Sequence, residues 1–222
     1  VIVRALAVAV PAAIVYAVLG TAVAHHPPQP LWPIDAGARA LAGHATHLAL
    51  IFTISCWWEV LLALGAGAAV LAWRRPKWRA RVLFSIVTTI VAWQTSDVLK
   101  DVFARPRPTY WYLHHETTYS YSSGHAMFAT VVYGLWSYFF ATSTLPRVPR
   151  VALAAAFALW GVAIIWSRLA LGAHWPTDLI GGVLLGITML GIATAVAAAW
   201  PQRTRTSVTP SNVEGQSATS GR

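Results

Sequence analysis

Eight residues of this chain have the types and spacing to handle a phosphate: Lys100 and Arg107, then Ser123, Gly124 and His125, then Arg168, His174 and Asp178. Lys100, Arg107 and Arg168 offer cations to three non-bridging oxygens, each Arg as a bidentate fork and Lys as a point charge. Ser123 precedes a long apolar run and has N-cap chemistry. Capping there leaves the N–H groups of Gly124 and His125 pointing at an anion, with the helix dipole behind them. Gly124 lets the backbone come close. His174 and Asp178 are four apart and share one face of a helical turn, and Pro176 suits the first turn of a helix. Asp178 is expected to accept a hydrogen bond from one ring nitrogen of His174. That fixes the tautomer and leaves the other nitrogen to attack phosphorus. His125 remains as proton donor to the leaving oxygen. The chemistry this set suits is phosphoryl transfer.

Six apolar runs must position these groups. They extend from about Ala5 to Ala24, Leu48 to Trp73, Val82 to Val102, Gly124 to Thr142, Val151 to Ala170 and Pro176 to Trp200. Each is near the 20 residues that a membrane helix needs. The expected fold is therefore all-α, a polytopic six-transmembrane-helix bundle over residues 1–201. The Ser-, Thr- and Gly-rich tail 202–222 is expected to be disordered and cytoplasmic. The first run competes with a cleaved signal peptide, with Arg4 as its basic start; its length and the topology favour a retained helix. The chain begins with Val, which leaves open whether its start is complete. Between the first two runs, Pro27, Pro28, Pro30 and Pro33 lead into an amphipathic Ile34 to Leu50, expected as an outer loop with a short interfacial helix.

Composition agrees with a bilayer. Of 222 residues, 57% are hydrophobic and 10% charged, against about 25% charged in soluble domains. The net charge of +9 falls in short clusters between apolar runs, which fits membrane topology and not nucleic acid, for which no motif is present. Arg74, Arg75, Lys77, Arg79 and Arg81 follow the second run, Arg147 and Arg150 the fourth, Arg203 and Arg205 the sixth. By the positive-inside rule these regions, and both termini, are cytoplasmic. All the phosphate-handling groups then fall at the other, extracytoplasmic end, where charges at a membrane surface usually mark function. Cys56, the single cysteine, is expected to be a small packing residue.

At the same residues the chain resembles the type 2 phosphatidic acid phosphatase family, whose pattern is K-x6-RP, PSGH and SR-x5-H-x3-D. Here stand Lys100-x6-Arg107-Pro108, then Ser122-Ser123-Gly124-His125, then Ser167-Arg168-x5-His174-x3-Asp178. The one departure is Ser122 in place of Pro, which touches the approach to the helix and no reacting group. The resemblance implies a metal-independent, cofactor-free phosphatase. It implies His174 as nucleophile forming a phosphohistidine, Asp178 supporting it and His125 as general acid. It implies Lys100, Arg107, Ser123, Gly124 and Arg168 as phosphate ligands. The expected substrate is a lipid phosphate or pyrophosphate, with phosphatidic acid, phosphatidylglycerophosphate and undecaprenyl pyrophosphate all allowed. Two alternatives stand beside it: a vanadate-dependent haloperoxidase, disfavoured by the many apolar runs, and a non-catalytic lipid carrier or transporter.

Other polar residues receive plainer readings. Arg105 is expected to be a loop or lipid-headgroup contact, and Asp97 and Asp101 to pair with nearby cations. Glu59 falls inside the second run, where a charge is costly. His114, His115 and Glu116, like His44 and His47, have metal-ligand spacing without a completing carboxylate or Cys, and the histidines are expected to be solvated loop residues. Tyr110, Trp111, Tyr112, Tyr119 and Tyr121 are expected as an interfacial belt or a rim around the site.

Overall fold

The computed structural model describes residues 1–24, 33–110 and 116–199. Among them every regular element is helical. Helix α1 is Ile2–Ala24, α2 Pro33–Gly37, α3 Thr46–Ile54, α4 Trp58–Arg74 and α5 Arg79–Phe103. Then come α6 at Gly124–Phe128, α7 at Leu135–Ala141, α8 at Arg147–Ala170 and α9 at Pro176–Ala199. Four stretches are long and apolar enough to cross a membrane: Ile2–Ala24, Pro76–Phe103, Arg147–Ala170 and Pro176–Ala199. A fifth arises if α3 and α4, bent by 48° at their junction, form one broken span. The protein is a multi-pass, all-helical membrane protein. The tail 202–222, the prolines 27, 28 and 30, His114, His115, Trp111 and Tyr112 lie outside the described residues.

Two expected helices are not simple. The run from Gly124 is helical to Ala141, but passes through π turns at Ala129–Gly134 between α6 and α7. Among the described residues it is not one of the four or five stretches that length and composition mark as crossings. The run from Leu48 to Trp73 breaks at residues 55–57. Polar groups freed there are taken up inside the protein: the Tyr133 hydroxyl donates to the Ser55 carbonyl (2.8 Å), and the Trp160 indole donates to Ser55 Oγ (3.0 Å). Irregular backbone among apolar helices needs such partners. The break also moves Glu59, which sits exposed in the first turn of α4, where a carboxylate suits the helix dipole. The expected interfacial helix is likewise divided, into α2 and a 3-10 turn at Ala38–Ala40, before α3 begins at Thr46.

Packing fixes the two ends of the bundle. At one end Arg81 lies 5.0 Å over Trp78 and donates to the Phe139 carbonyl (3.3 Å), while Lys77 donates to Thr144 (3.2 Å). The basic turn before α5 and the turn after α7 thus meet. Trp78 stacks on Trp136, ring centroids 6.0 Å apart, and starts an aromatic core with Phe139 and Phe140. Toward the other end, α1 packs along α9, with the small residues Ala9, Ala12 and Gly20 buried on α1; small residues let membrane helices approach. Tyr16, Phe103 and Tyr121 join there, and the Tyr121 hydroxyl donates to the Tyr16 carbonyl at 2.6 Å. The C-terminal ends of α5 and α8 and the N-terminal ends of α6 and α9 meet at this second end, and with them all three polar motifs.

Candidate active site

Ser123 caps α6, its Oγ accepting the Ala126 N–H at 3.4 Å. Its own N–H donates to the Asp178 carbonyl at 3.0 Å. Gly182, one turn beyond Asp178 on α9, permits this approach, since a Cβ there would lie 2.4 Å from the Ser123 carbonyl oxygen. The second and third motifs are thus joined through backbone. Arg168 lies in the last turn of α8. Gly172 then turns the chain with φ +65°, and a Cβ on it would meet the Tyr110 carbonyl oxygen at 2.1 Å; only glycine suits both demands. His174 follows the turn and Asp178 opens α9.

His174 is 2% exposed. Its Nε2 lies 3.0 Å from Arg107 Nη1. A guanidinium donates and never accepts, so Nε2 is the accepting nitrogen and the ring proton sits on Nδ1. Nδ1 faces Asp178 Oδ2 at 3.5 Å and Ser120 Oγ at 3.4 Å. The Ser120 hydroxyl in turn donates to Asp178. The expected His174–Asp178 contact is therefore long, and Ser120 shares the role. Burial, then the Arg107 and Arg168 charges, hold the imidazole well below its usual range. The ring is neutral at pH 7 and Nε2 keeps its lone pair.

A cavity of about 140 Å³ opens beside His174. One water needs about 10–15 Å³ by this measure, so a phosphate fits. Its lining is polar at Ser96, Asp97, Lys100, Glu116, Gly124, His125 and His174 and apolar at Cys56, Trp93 and Phe128. His125 Nε2 is buried with no hydrogen-bond partner among the described residues. Lys100 pairs with Asp97 at 3.4 Å. Arg107 and Arg168 reach the cavity through Glu116, whose carboxylate bridges the two guanidiniums, Oε2 standing 2.7 Å from Arg107 Nη2. Burial pushes the Glu116 carboxyl up, but Arg168 and then Arg107 outweigh it and hold the group far below its ordinary range. Glu116, grouped in the sequence with His114 and His115 as a metal-like triplet, instead supplies the counter-charge to two arginines from two different motifs. Among the described residues no three His, Cys, Asp or Glu side chains are grouped to hold a metal ion.

Arg105 is a correction to the sequence reading. Read as a loop or headgroup contact, it is 2% exposed and paired with the buried carboxylates of Asp35 (3.0 Å) and Asp178 (2.5 Å). Buried carboxylates require such a partner. Nothing in local spacing pointed to Ser120, Asp35 or Thr53, the last of which accepts from Arg168 Nη1 at 3.2 Å.

The model of the PAP2 superfamily matches residues 78–202, more than half of the chain, with all three motifs inside. The chain belongs to the PAP2 superfamily. Similar PAP2-type proteins include phosphatidylglycerophosphatase B of Bacillus subtilis, 34% identical over 42% of this chain and 47% of that protein. Phosphatidylglycerophosphatase B of Escherichia coli is 34% identical over 37% of this chain and 30% of its own length. The undecaprenyl-diphosphatase of Sulfolobus acidocaldarius is 31% identical over 46% and 48%. The matched stretch spans less than half of each of these three relatives. In fold, the chain resembles the crystal structure of a transmembrane PAP2 type phosphatidylglycerolphosphate phosphatase from Bacillus subtilis. The TM-score is 0.70 over 89% of this chain and 99% of that one, at 22% identity.

Proposed function

We propose that this PAP2 protein is an integral membrane phosphatase that hydrolyses a lipid phosphate or pyrophosphate through a phosphohistidine on His174, without a metal. The observation that carries this reading is one cavity lined by two imidazoles: buried His174, with an accepting Nε2, and half-buried His125, whose own buried Nε2 has no partner among the described residues. Nε2 of His174 attacks phosphorus and the bond to the lipid oxygen breaks. His125 gives that oxygen its proton. Water then attacks the phosphohistidine, His125 taking up a proton, and inorganic phosphate leaves with Nε2 restored. Lys100, Arg107, Arg168 and the N–H groups after Ser123 hold the oxygens on which charge develops. The apolar lining residues Cys56, Trp93 and Phe128 suit the chain of a lipid whose headgroup enters among the cations. In this reading the helical run Gly124 to Ala141 completes six spans, both termini are cytoplasmic, and the site faces the extracytoplasmic side.

The test is phosphate release in detergent, with EDTA, from phosphatidic acid, phosphatidylglycerophosphate and undecaprenyl pyrophosphate. Release from at least one, undiminished by EDTA, is expected. Loss of release on adding EDTA, or none from any of the three, contradicts the proposal.

Glu116 occupies the position between Arg107 and Arg168 that a substrate phosphate would take, so substrate must displace it. Glu116→Gln removes the competing charge and leaves the two guanidiniums repelling each other. Orthovanadate, a phosphate mimic, is expected to bind about tenfold tighter, roughly 1.4 kcal/mol. Titration calorimetry checks this; unchanged or weaker binding would show that Glu116 is not in the anion's place.

A further inference from the structure

Behind Asp178 lies a second charged layer that the reaction above does not use. Asp35, on α2, is fully buried. Its Oδ1 accepts the Thr177 N–H at 3.1 Å, and both its oxygens accept from the Thr177 hydroxyl at 3.0 Å. Its Oδ2 pairs with Arg105 Nη2 at 3.0 Å. The other prong of the same fork, Arg105 Nη1, donates to Asp178 Oδ1 at 2.5 Å and to Thr177 Oγ at 2.6 Å. Trp175 lies under the guanidinium, ring centroid 5.5 Å away, and its indole donates to the Pro106 carbonyl at 3.2 Å. One guanidinium is thus shared between two buried acidic side chains.

That sharing has an electrostatic consequence. If Arg105 paired with Asp178 alone, the cation would neutralise the carboxylate that faces His174. With Asp35 drawing on the same cation, Asp178 keeps negative charge for the Nδ1–H of His174, 3.5 Å away among buried groups where such charge acts strongly. A purely structural pair would need only one carboxylate, because an uncompensated second one is costly to bury. Arg105 also helps fix where Asp178 points, its Nη1 holding Oδ1 at 2.5 Å while Nη2 is held by Asp35.

We propose that Asp35 and Arg105 are positioning residues for phosphoryl transfer: the chain Asp35–Arg105–Asp178–His174 sets how strongly the imidazole is supported as its Nε2 bonds to phosphorus. This rests on His174 being the nucleophile. Neither residue touches substrate, so their removal acts on turnover and not on phosphate binding. Thr177 lies in the same layer without charge and serves as the comparison.

The experiment measures kcat, KM and orthovanadate binding stoichiometry for wild type, Asp35→Asn and Thr177→Val in detergent, on whichever lipid phosphate wild type hydrolyses. Asp35→Asn keeps the shape but removes the charge and replaces one of the two accepting oxygens with an N–H donor. It is expected to lower kcat per vanadate-binding site by about 10–100-fold, the usual range for groups that orient a reacting ligand from behind, with KM within about twofold. Thr177→Val is expected to lower it less. Wild-type kcat per site in Asp35→Asn, or an equal loss in Thr177→Val, overturns the proposal. If Asp35→Asn binds no vanadate, Arg105→Lys, which keeps one cation but loses the fork, is read by the same criteria. Loss of vanadate binding in both marks the layer as structural and also overturns it. A wild type that releases no phosphate contradicts the phosphatase reading itself, whereas an active wild type beside an unaffected Asp35→Asn contradicts only the positioning role.

Discussion

Replacing His174 with alanine is expected to lower phosphate release by on the order of 10⁴-fold or more, as removal of a nucleophile does elsewhere. The protein should remain folded. His174 makes few contacts that the scaffold needs: Arg107 Nη1 still donates to the Ala173 carbonyl at 3.0 Å, and Asp178 keeps Arg105, Ser120 and the Trp175 N–H. The cations proposed to hold phosphate are untouched, so orthovanadate should still bind. Phosphate release and thermal unfolding in the same detergent check this. Residual turnover within tenfold of wild type, in folded protein, would mean that another group attacks phosphorus.

Arg168→Ala is expected to have the second largest effect, about 10²–10³-fold in kcat/KM, the loss typical of one donor aimed at developing charge. Arg168 is 2% exposed, fixed by Thr53 through Nη1 and by Glu116 through Nη2. Its Nε is buried with no partner among the described residues, which leaves that donor available for the anion in the proposed reaction. Removing the side chain does not orphan Glu116, which keeps Arg107, so the fold should survive. Arg168→Lys should restore little, because an ammonium cannot reproduce the fork that reaches two acceptors. The kcat/KM of both variants decides the matter: near-wild-type activity in Arg168→Lys would reduce this residue to a point charge, and in Arg168→Ala would remove it from the site.

Much of the site could be read from the order of residues because its groups sit at helix ends. Lys100 closes α5, Ser123 caps α6, and His174 and Asp178 flank the start of α9. Caps, apolar run lengths and i to i+4 spacing are local signals. They carry the positions of α1, α5, α8 and α9 to within a few residues. The partners that tune those groups are not local. Asp35 meets Thr177 across 142 residues, and Arg105 meets Asp178 across 73. No spacing rule connects them, and a lone Asp after a proline-rich stretch looks like a loop residue. Arg105 was misread for the same reason: its partners arrive only when α2 and α9 pack.

Two features of the helices were hidden for a different reason. The break at residues 55–57 contains no Pro or Gly to announce it. It exists because the Tyr133 and Trp160 side chains, from other helices, satisfy Ser55. The π turns at Ala129–Gly134 lie in a mostly apolar run whose spacing does not announce them. Glu116 was placed in a metal-like triplet with His114 and His115 because sequence proximity suggested it. Its partners, Arg107 and Arg168, come from two other motifs.

The central claim, that His174 carries the phosphoryl group between lipid and water, is tested most directly by rapid quench with ³²P-labelled lipid phosphate, in the presence of EDTA. The account predicts an acid-labile, base-stable label that maps to His174, forms and decays within turnover, and is absent from His174→Ala. Steady phosphate release from wild type with no label on His174, or with label on another side chain, would contradict it.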